Sequence, residues 1–275
     1  MAIIVSDIHG DINKARAFLA HEPGAEHIVL GDLCDNSNIG ITLDDELACL
    51  DLLFASDAVL LWGNHDLAYT LEQPWRCNTW HALPSEDKIQ QYIERSEYLR
   101  RVYNEFGDVF VRDILSERFV KNRHRMRVAY VVDGWLCTHA GISPILADII
   151  PGAIITDGQS AIANWLNEEF LRELQVPVPL TWEGPQRYGY GPLFQIPTCR
   201  WGTDRYGGIF WFDPHGEMVD PSPLVGRQIF GHTPVPFPER SELWVNVNNF
   251  EPGMWVFDTV LDELVEISNQ GKIIR

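Results

Sequence analysis

Much that marks other protein classes is missing from this 275-residue sequence. Cysteine is scarce: five residues, scattered, with no C-x-x-C pair, so the spacing encodes neither a disulfide framework nor a thiolate zinc site. No N-x-[ST] sequon occurs either, which with the scattered thiols points to a reducing cytoplasm and to cysteines serving as small buried hydrophobes. No apolar run approaches the ~18 residues that span a bilayer. Stretches such as Ala58 to Gly63 are strand-sized, and a membrane-spanning helix is excluded. The first residues, Met1-Ala2-Ile3-Ile4-Val5, lack a basic region and lead directly into Ser6-Asp7-Ile8-His9-Gly10, which argues against a cleaved signal. Basic charge is also in short supply. With 21 Lys and Arg against 39 Asp and Glu, the net charge of −18 repels a nucleic-acid backbone and argues against general DNA or RNA binding. The exception is the segment from Arg95 to Arg127, with nine basic and five acidic residues, which reads as a solvated helical face able to meet an acidic partner.

What is present is the composition of a globular protein, 45% apolar and 22% charged, and one recurring pattern. Five short apolar runs each end in a polar cluster. Ala2 to Val5 leads into Ser6-Asp7-Ile8-His9-Gly10, and His27 to Leu30 into Gly31-Asp32-Leu33-Cys34-Asp35. Ala58 to Trp62 leads into Gly63-Asn64-His65-Asp66, Trp135 to Thr138 into His139-Ala140-Gly141, and Arg227 to Phe230 into Gly231-His232-Thr233-Pro234. Ligands in α/β sheets bind beyond the carboxyl ends of strands, so these junctions can converge on one site.

Helical stretches at Asn13 to Ala20 and Leu43 to Phe54 separate the first three runs and make a βαβαβ unit with parallel strands. Asp11 and Asp66 are placed to cap helices rather than to bind metal. Further helices are expected from Ser85 to Gly107 and from Ser160 to Leu174, the latter burying Ile162, Trp165, Leu166 and Phe170. Asp133-Gly134 signals a tight hairpin. The Pro-, Gly- and aromatic-rich stretch from Val176 to Gly208 reads as a lid or pocket wall. With no repeat or linker evident, residues 1–275 read as one domain with insertions at about 68–126 and 151–208.

The junctions supply two carboxylates, Asp7 and Asp32, three imidazoles, His9, His139 and His232, and the amide oxygen of Asn64. This mixed oxygen and nitrogen set suits Mn²⁺, Fe or Zn²⁺. Divided between two ions with Asp32 shared, it gives Asp7, His9 and Asp32 for one, and Asp32, Asn64, His139 and His232 for the other. The ordered motifs resemble those of the calcineurin-like metallophosphoesterase superfamily. Within it they are most similar to the phosphoprotein phosphatases and the bacterial symmetrical diadenosine tetraphosphatases.

The resemblance implies a single domain of two packed mixed β-sheets flanked by helices, an αββα sandwich. It also implies two divalent ions, Mn²⁺ foremost, attack on phosphorus by a hydroxide held between them, His65 as general acid and Asp35 as the carboxylate orienting it. Many phosphodiesterases have a second His where this chain has Pro234, so one ion is expected to have one protein ligand fewer. Both similar branches carry an Arg after the second motif to grip phosphate, whereas here Asn36-Ser37 stands in its place. Arg200, Arg205 and Arg227 are the candidates to replace it, with Arg205 preferred. The expected activity is phosphomonoester hydrolysis, as in a serine/threonine or dual-specificity protein phosphatase. The alternatives are hydrolysis of a dinucleoside tetraphosphate, a phosphodiesterase, and an inactive phosphatase-like binding protein. The expected partner is a phosphorylated protein or nucleotide.

Overall fold

The computed structural model describes residues 1–36, 40–67, 69, 111–175, 191–250 and 253–274. Among these, eleven strands form two mixed sheets. In the first, β1 (Ala2–Val5), β2 (Glu26–Val29), β3 (Val59–Leu61) and β4 (Met126–Arg127) run parallel. β10 (Met254–Asp258) and β11 (Glu263–Ile267) extend that sheet antiparallel beyond β1. The second sheet has the order β5 (Ala129–Val132), β6 (Trp135–Thr138), β7 (Gln228–Phe230), β9 (Trp244–Asn246), β8 (Glu239–Arg240), with β6, β7 and β9 parallel.

The apolar runs are continuous because these strands are covered on both faces. Ala2, Ile4, Ile28 and Leu61 pack with Trp135, Cys137, Ile229 and Val245 of the second sheet, forming the layer between the sheets. Ile3, Val5, Val29 and Leu60 belong instead to the core shared with α1 (Ile12–Ala20) and α2 (Leu43–Ala55), through Phe18, Leu47 and Leu50. α3 (Asn64–Leu67) and α4 (Val111–Asn122) follow in the first half. In the second, α5 (Pro144–Ile149), α6 (Gly152–Thr156) and α7 (Gln159–Leu174) lead towards the short α8 (Pro214–Glu217). α7 buries Ile162, Leu166 and Phe170, while Trp165 is only half-buried. The αββα sandwich expected from the resemblance is the architecture observed.

Local chemistry sets the element ends. Asp11 accepts the N–H groups of Asn13 and Lys14 at 2.9 and 3.1 Å and so starts α1 directly after the first junction. Thr42 and Asp45 form a reciprocal capping box at the start of α2. Asp133 and Gly134, at φ 48° and 77°, make the two-residue turn joining β5 to β6. Asp66 differs from expectation: it is the third residue of α3 and reaches back to the Gly63 N–H at 2.9 Å, with its other oxygen on the Leu33 N–H at 2.8 Å. It ties two junctions together instead of capping a later helix.

The expected helix from Ser85 to Gly107, the lid residues 176–190 and the basic residues before 111 lie outside the described residues. Of the remaining lid, Leu193, Phe194 and Ile196 are core, with Phe194 stacked on Phe170 at 5.7 Å, so this part is packed structure. Arg118 and Arg125 of the basic segment are likewise engaged. Arg118 pairs with Asp51 of α2 at 3.4 Å, and Arg125 donates to the carbonyls of Phe54 and Ala58.

Candidate active site

The carboxyl ends of β1, β2 and β3 in one sheet and of β6 and β7 in the other open towards each other. Their loops continue the strand ladders: Asp7 N–H donates to the Gly31 carbonyl, His9 N–H to that of Asp32 and Gly231 N–H to that of His139. Across the sheets, the His232 N–H donates to Asp7 Oδ2 at 3.1 Å. The turns are tight. Asp7, His9, Asp32, Asp35 and His232 all have positive φ, between 49° and 72°, a region costing a non-glycine residue roughly 1–2 kcal/mol. Close approach also excludes side chains nearby: a Cβ on Gly63 would sit 2.1 Å from Asp32 Oδ1, and one on Gly231 2.5 Å from Asp7 Oδ2.

Two donor groups result, Asp7, His9 and Asp32, and Asp32, His139 and His232, each with its ligand atoms within 4.8 Å of one another. Asn64 joins the second through Oδ1, which lies 2.8 Å from His139 Nε2 and 2.9 Å from His232 Nδ1. The proton positions make these groups fit a cation. His139 Nδ1 lies 2.8 Å from the Leu30 carbonyl and His9 Nδ1 3.0 Å from that of Cys34, so each must carry its proton there. In the neutral rings Nε2 is then a lone pair. His139 Nε2 turns that lone pair towards Asn64 Oδ1 and, at 3.6 Å, Asp32 Oδ2, while His9 Nε2 lies 3.8 Å from both Asp7 Oδ1 and Asp32 Oδ2. Acceptors converging on acceptors in a buried site call for positive charge between them. Burial, reinforced by Arg200 and the neighbouring imidazoles, holds His232 well below its ordinary pKa and so neutral, as a ligand must be. For Asp32, burial works against ionisation, but the imidazoles of His139, His65 and His9 keep its pKa below the usual value.

His65 follows Asn64 yet belongs to neither group. Its Nδ1 donates to Asp35 Oδ2 at 2.5 Å, and its ring lies edge-on to that of His9, centroids 5.1 Å apart. Burial alone would lower its pKa, but Asp32 and then Asp35 outweigh that and raise it to about 9.

A family model for calcineurin-like phosphoesterases matches residues 2–236. The chain belongs to that family. The family's class is that of metal-dependent phosphoester hydrolases, in keeping with the two donor groups. A Caenorhabditis elegans protein provisionally named a serine/threonine-protein phosphatase is 25% identical over 145 residues, 52% of this chain and 26% of that protein. The matched part thus spans about a quarter of that relative's length. Among solved structures, a cold-active protein-tyrosine phosphatase of a psychrophilic Shewanella species aligns over 99% of this chain and 78% of its own, at 11% identity and a TM-score of 0.49. A further structure of a cold-active protein tyrosine phosphatase gives 12% identity, 99% and 77% coverage and a TM-score of 0.50, a likeness of fold alone.

Measured against this calcineurin-like frame, the three candidate arginines separate. Arg205 is exposed, its guanidinium 5.0 Å from the Tyr206 ring centroid. Arg227 lies over Trp135 at 3.6 Å and pairs with Asp262 at 2.7 Å, a structural position. Arg200 reaches the site: its Nη2 donates to Thr233 Oγ1 at 3.2 Å and its Nε to Asp213 Oδ2 at 2.8 Å. Asn36, standing where similar branches have Arg, instead donates Nδ2–H to the His9 carbonyl at 2.5 Å.

Three supporting residues escaped the sequence reading. Lys14 on α1 donates Nζ–H to the carbonyls of Ser6 and Asp7, at 2.9 and 2.8 Å. Glu46 on α2 accepts the Asp35 and Asn36 N–H groups at 2.8 and 3.3 Å. Tyr69 donates to Asp35 Oδ1 at 2.8 Å. Helix periodicity offers a faint signal for the first two, since each is a charged residue among buried neighbours. Of the other histidines, His21 and His27 bond the Gly271 and His21 carbonyls, His215 pairs with Glu239, and His81 lies outside the described residues.

Proposed function

We propose that the chain hydrolyses phosphomonoesters with two divalent ions, one held by Asp7, His9 and Asp32, the other by Asp32, Asn64, His139 and His232. The observation that carries this reading is the convergence of unprotonated nitrogen and oxygen acceptors around Asp32 Oδ2, beside the His65 imidazole bonded to Asp35. Bound there, Mn²⁺, Fe or Zn²⁺ supplies Lewis acidity, which lowers the pKa of water and offsets the charge of the phosphate oxygens. The protein does the rest. Asp32 sets the relation of the two groups, and Arg200, with guanidinium donors beyond its two observed bonds, grips a phosphate oxygen. As a water oxygen, its proton released to solvent, bonds to phosphorus and the bond to the leaving oxygen breaks with its electron pair going to that oxygen, His65 donates its Nε2 proton there. Asp35 holds the ring in place throughout.

Phosphoserine and phosphothreonine side chains are the substrate class we favour, supported by the name of the Caenorhabditis elegans relative and by Pro234 in place of a further ligand. The test is activity with Mn²⁺ on p-nitrophenyl phosphate, a phosphopeptide, a bis-aryl phosphate diester and diadenosine tetraphosphate. Turnover of the monoesters and the phosphopeptide is expected. Exclusive turnover of the diester would overturn the reading, and a strong preference for diadenosine tetraphosphate would move the substrate to the nucleotides.

A further inference from the structure

We propose that Tyr69 is a positioning residue for the acid: its phenol fixes the plane of the Asp35 carboxylate, and through it the direction in which His65 presents its second nitrogen. This rests on the reading of His65 as the general acid.

The three groups form one hydrogen-bonded line, from Tyr69 Oη to Asp35 Oδ1 at 2.8 Å and from His65 Nδ1 to Asp35 Oδ2 at 2.5 Å. Tyr69 and Asp35 are each 0% exposed, whereas His65 keeps some solvent access. The line therefore starts in the core and ends at the site. The backbone and the carboxylate of Asp35 are held by different residues. Its backbone, in the left-handed region at φ 72°, is tethered by the N–H bond to Glu46. The torsion that sets the plane of the carboxylate is intrinsically broad. A contact on each oxygen narrows it, Tyr69 on Oδ1 and His65 on Oδ2.

Tyr69 is itself well anchored. Its ring stacks on Phe119 at 5.9 Å and 14°, and its N–H donates to the Asp66 carbonyl at 3.0 Å. Burial, with Asp35 next in effect, pushes its pKa well above the ordinary value, so it remains a donor across the working range. Phe119 also stacks on Trp62 at 5.8 Å, so the aromatic core under β3 continues directly into the support of the acid.

The experiment uses the Mn²⁺-loaded protein with Tyr69→Phe, His65→Asn and the double variant, each on phenyl phosphate, a poor leaving group, and on 2,4-dinitrophenyl phosphate, a good one. Tyr69→Phe keeps the stacking and removes only the hydroxyl. It is expected to lower kcat on phenyl phosphate about tenfold, a part of the ~10²–10⁴ a general acid contributes, and on the dinitrophenyl ester less than about twofold. KM and metal content should stay unchanged, and the hydroxyl deletion should add nothing in the His65→Asn background. An equal loss on both esters, no loss on either, or full additivity in the double variant would overturn the positioning role. If His65→Asn itself loses equally on both esters, the acid assignment falls and this inference with it. If His65→Asn discriminates between the esters and Tyr69→Phe does not, only the inference falls.

A second readout needs no metal. In the metal-free protein, the downfield proton resonance of the His65 imidazole N–H, assigned by its loss in His65→Asn, should move upfield and exchange faster with water in Tyr69→Phe. An unchanged resonance would also overturn the proposal.

Discussion

The two donor groups share Asp32 but differ in enclosure. Asp32, Asn64, His139 and His232 are each no more than 7% exposed, and four residues from both sheets close around one point. The group of Asp7, His9 and Asp32 has three members, and the His9 side chain is 27% exposed and lies edge-on to His65. On the proposed function, the enclosed group retains its cation and the open one leaves positions for water and substrate. His65 stands on that open side, edge-on to His9, so the proposed reaction has a direction, its leaving group departing past these two rings.

The largest expected effect comes from removing what the groups share. Asp32→Asn should lower kcat on the order of 10³-fold or more and reduce metal content at both positions, as measured by elemental analysis. Loss of a single ion would show that the groups are not joined through this carboxylate. Next, His65→Asn should cost ~10²–10⁴ in kcat with poor leaving groups while both ions remain, which separates the acid from the metal ligands. Smaller still is the asymmetry itself. Under a graded chelator challenge the wild-type protein should release its ions in two phases, the outer first, and His9→Ala should retain only the slow phase. A single phase in the wild type would erase the distinction.

The least effect lies away from both groups. Burial, then Glu169, raises Glu173 to about 8, so the native state keeps a proton that the unfolded chain gives up above its ordinary 4.5. The associated stability is therefore complete below pH 4.5 and lost as pH rises through 8. Glu173→Gln should raise Tm by a few degrees at pH 8.5 and leave it unchanged at pH 4.5. A pH-independent change would assign the effect to packing.

The junctions were readable because each combines an apolar strand with a short polar turn, both local patterns, and the six expected ligands meet where those turns do. Arg200 was readable only as one of three arginines, since nothing local says which one points back to Thr233. The pairing of β10 with β1 and the roles of Lys14, Glu46 and Tyr69 were not readable. Each depends on which distant backbone the fold brings alongside: Ile3 meets Asp258 across the sheet, and Glu46 meets the Asp35 loop only because α2 packs over it.

The left-handed turns carry a consequence for adapting this protein. Glycine at Asp7, His9, Asp32, Asp35 or His232 would relieve the unfavourable backbone at each position, and at each it would delete a group the site needs. Durability and chemistry thus compete for the same five residues, so gains in robustness have to be sought elsewhere, in the layer between the sheets or along the helices that cover them.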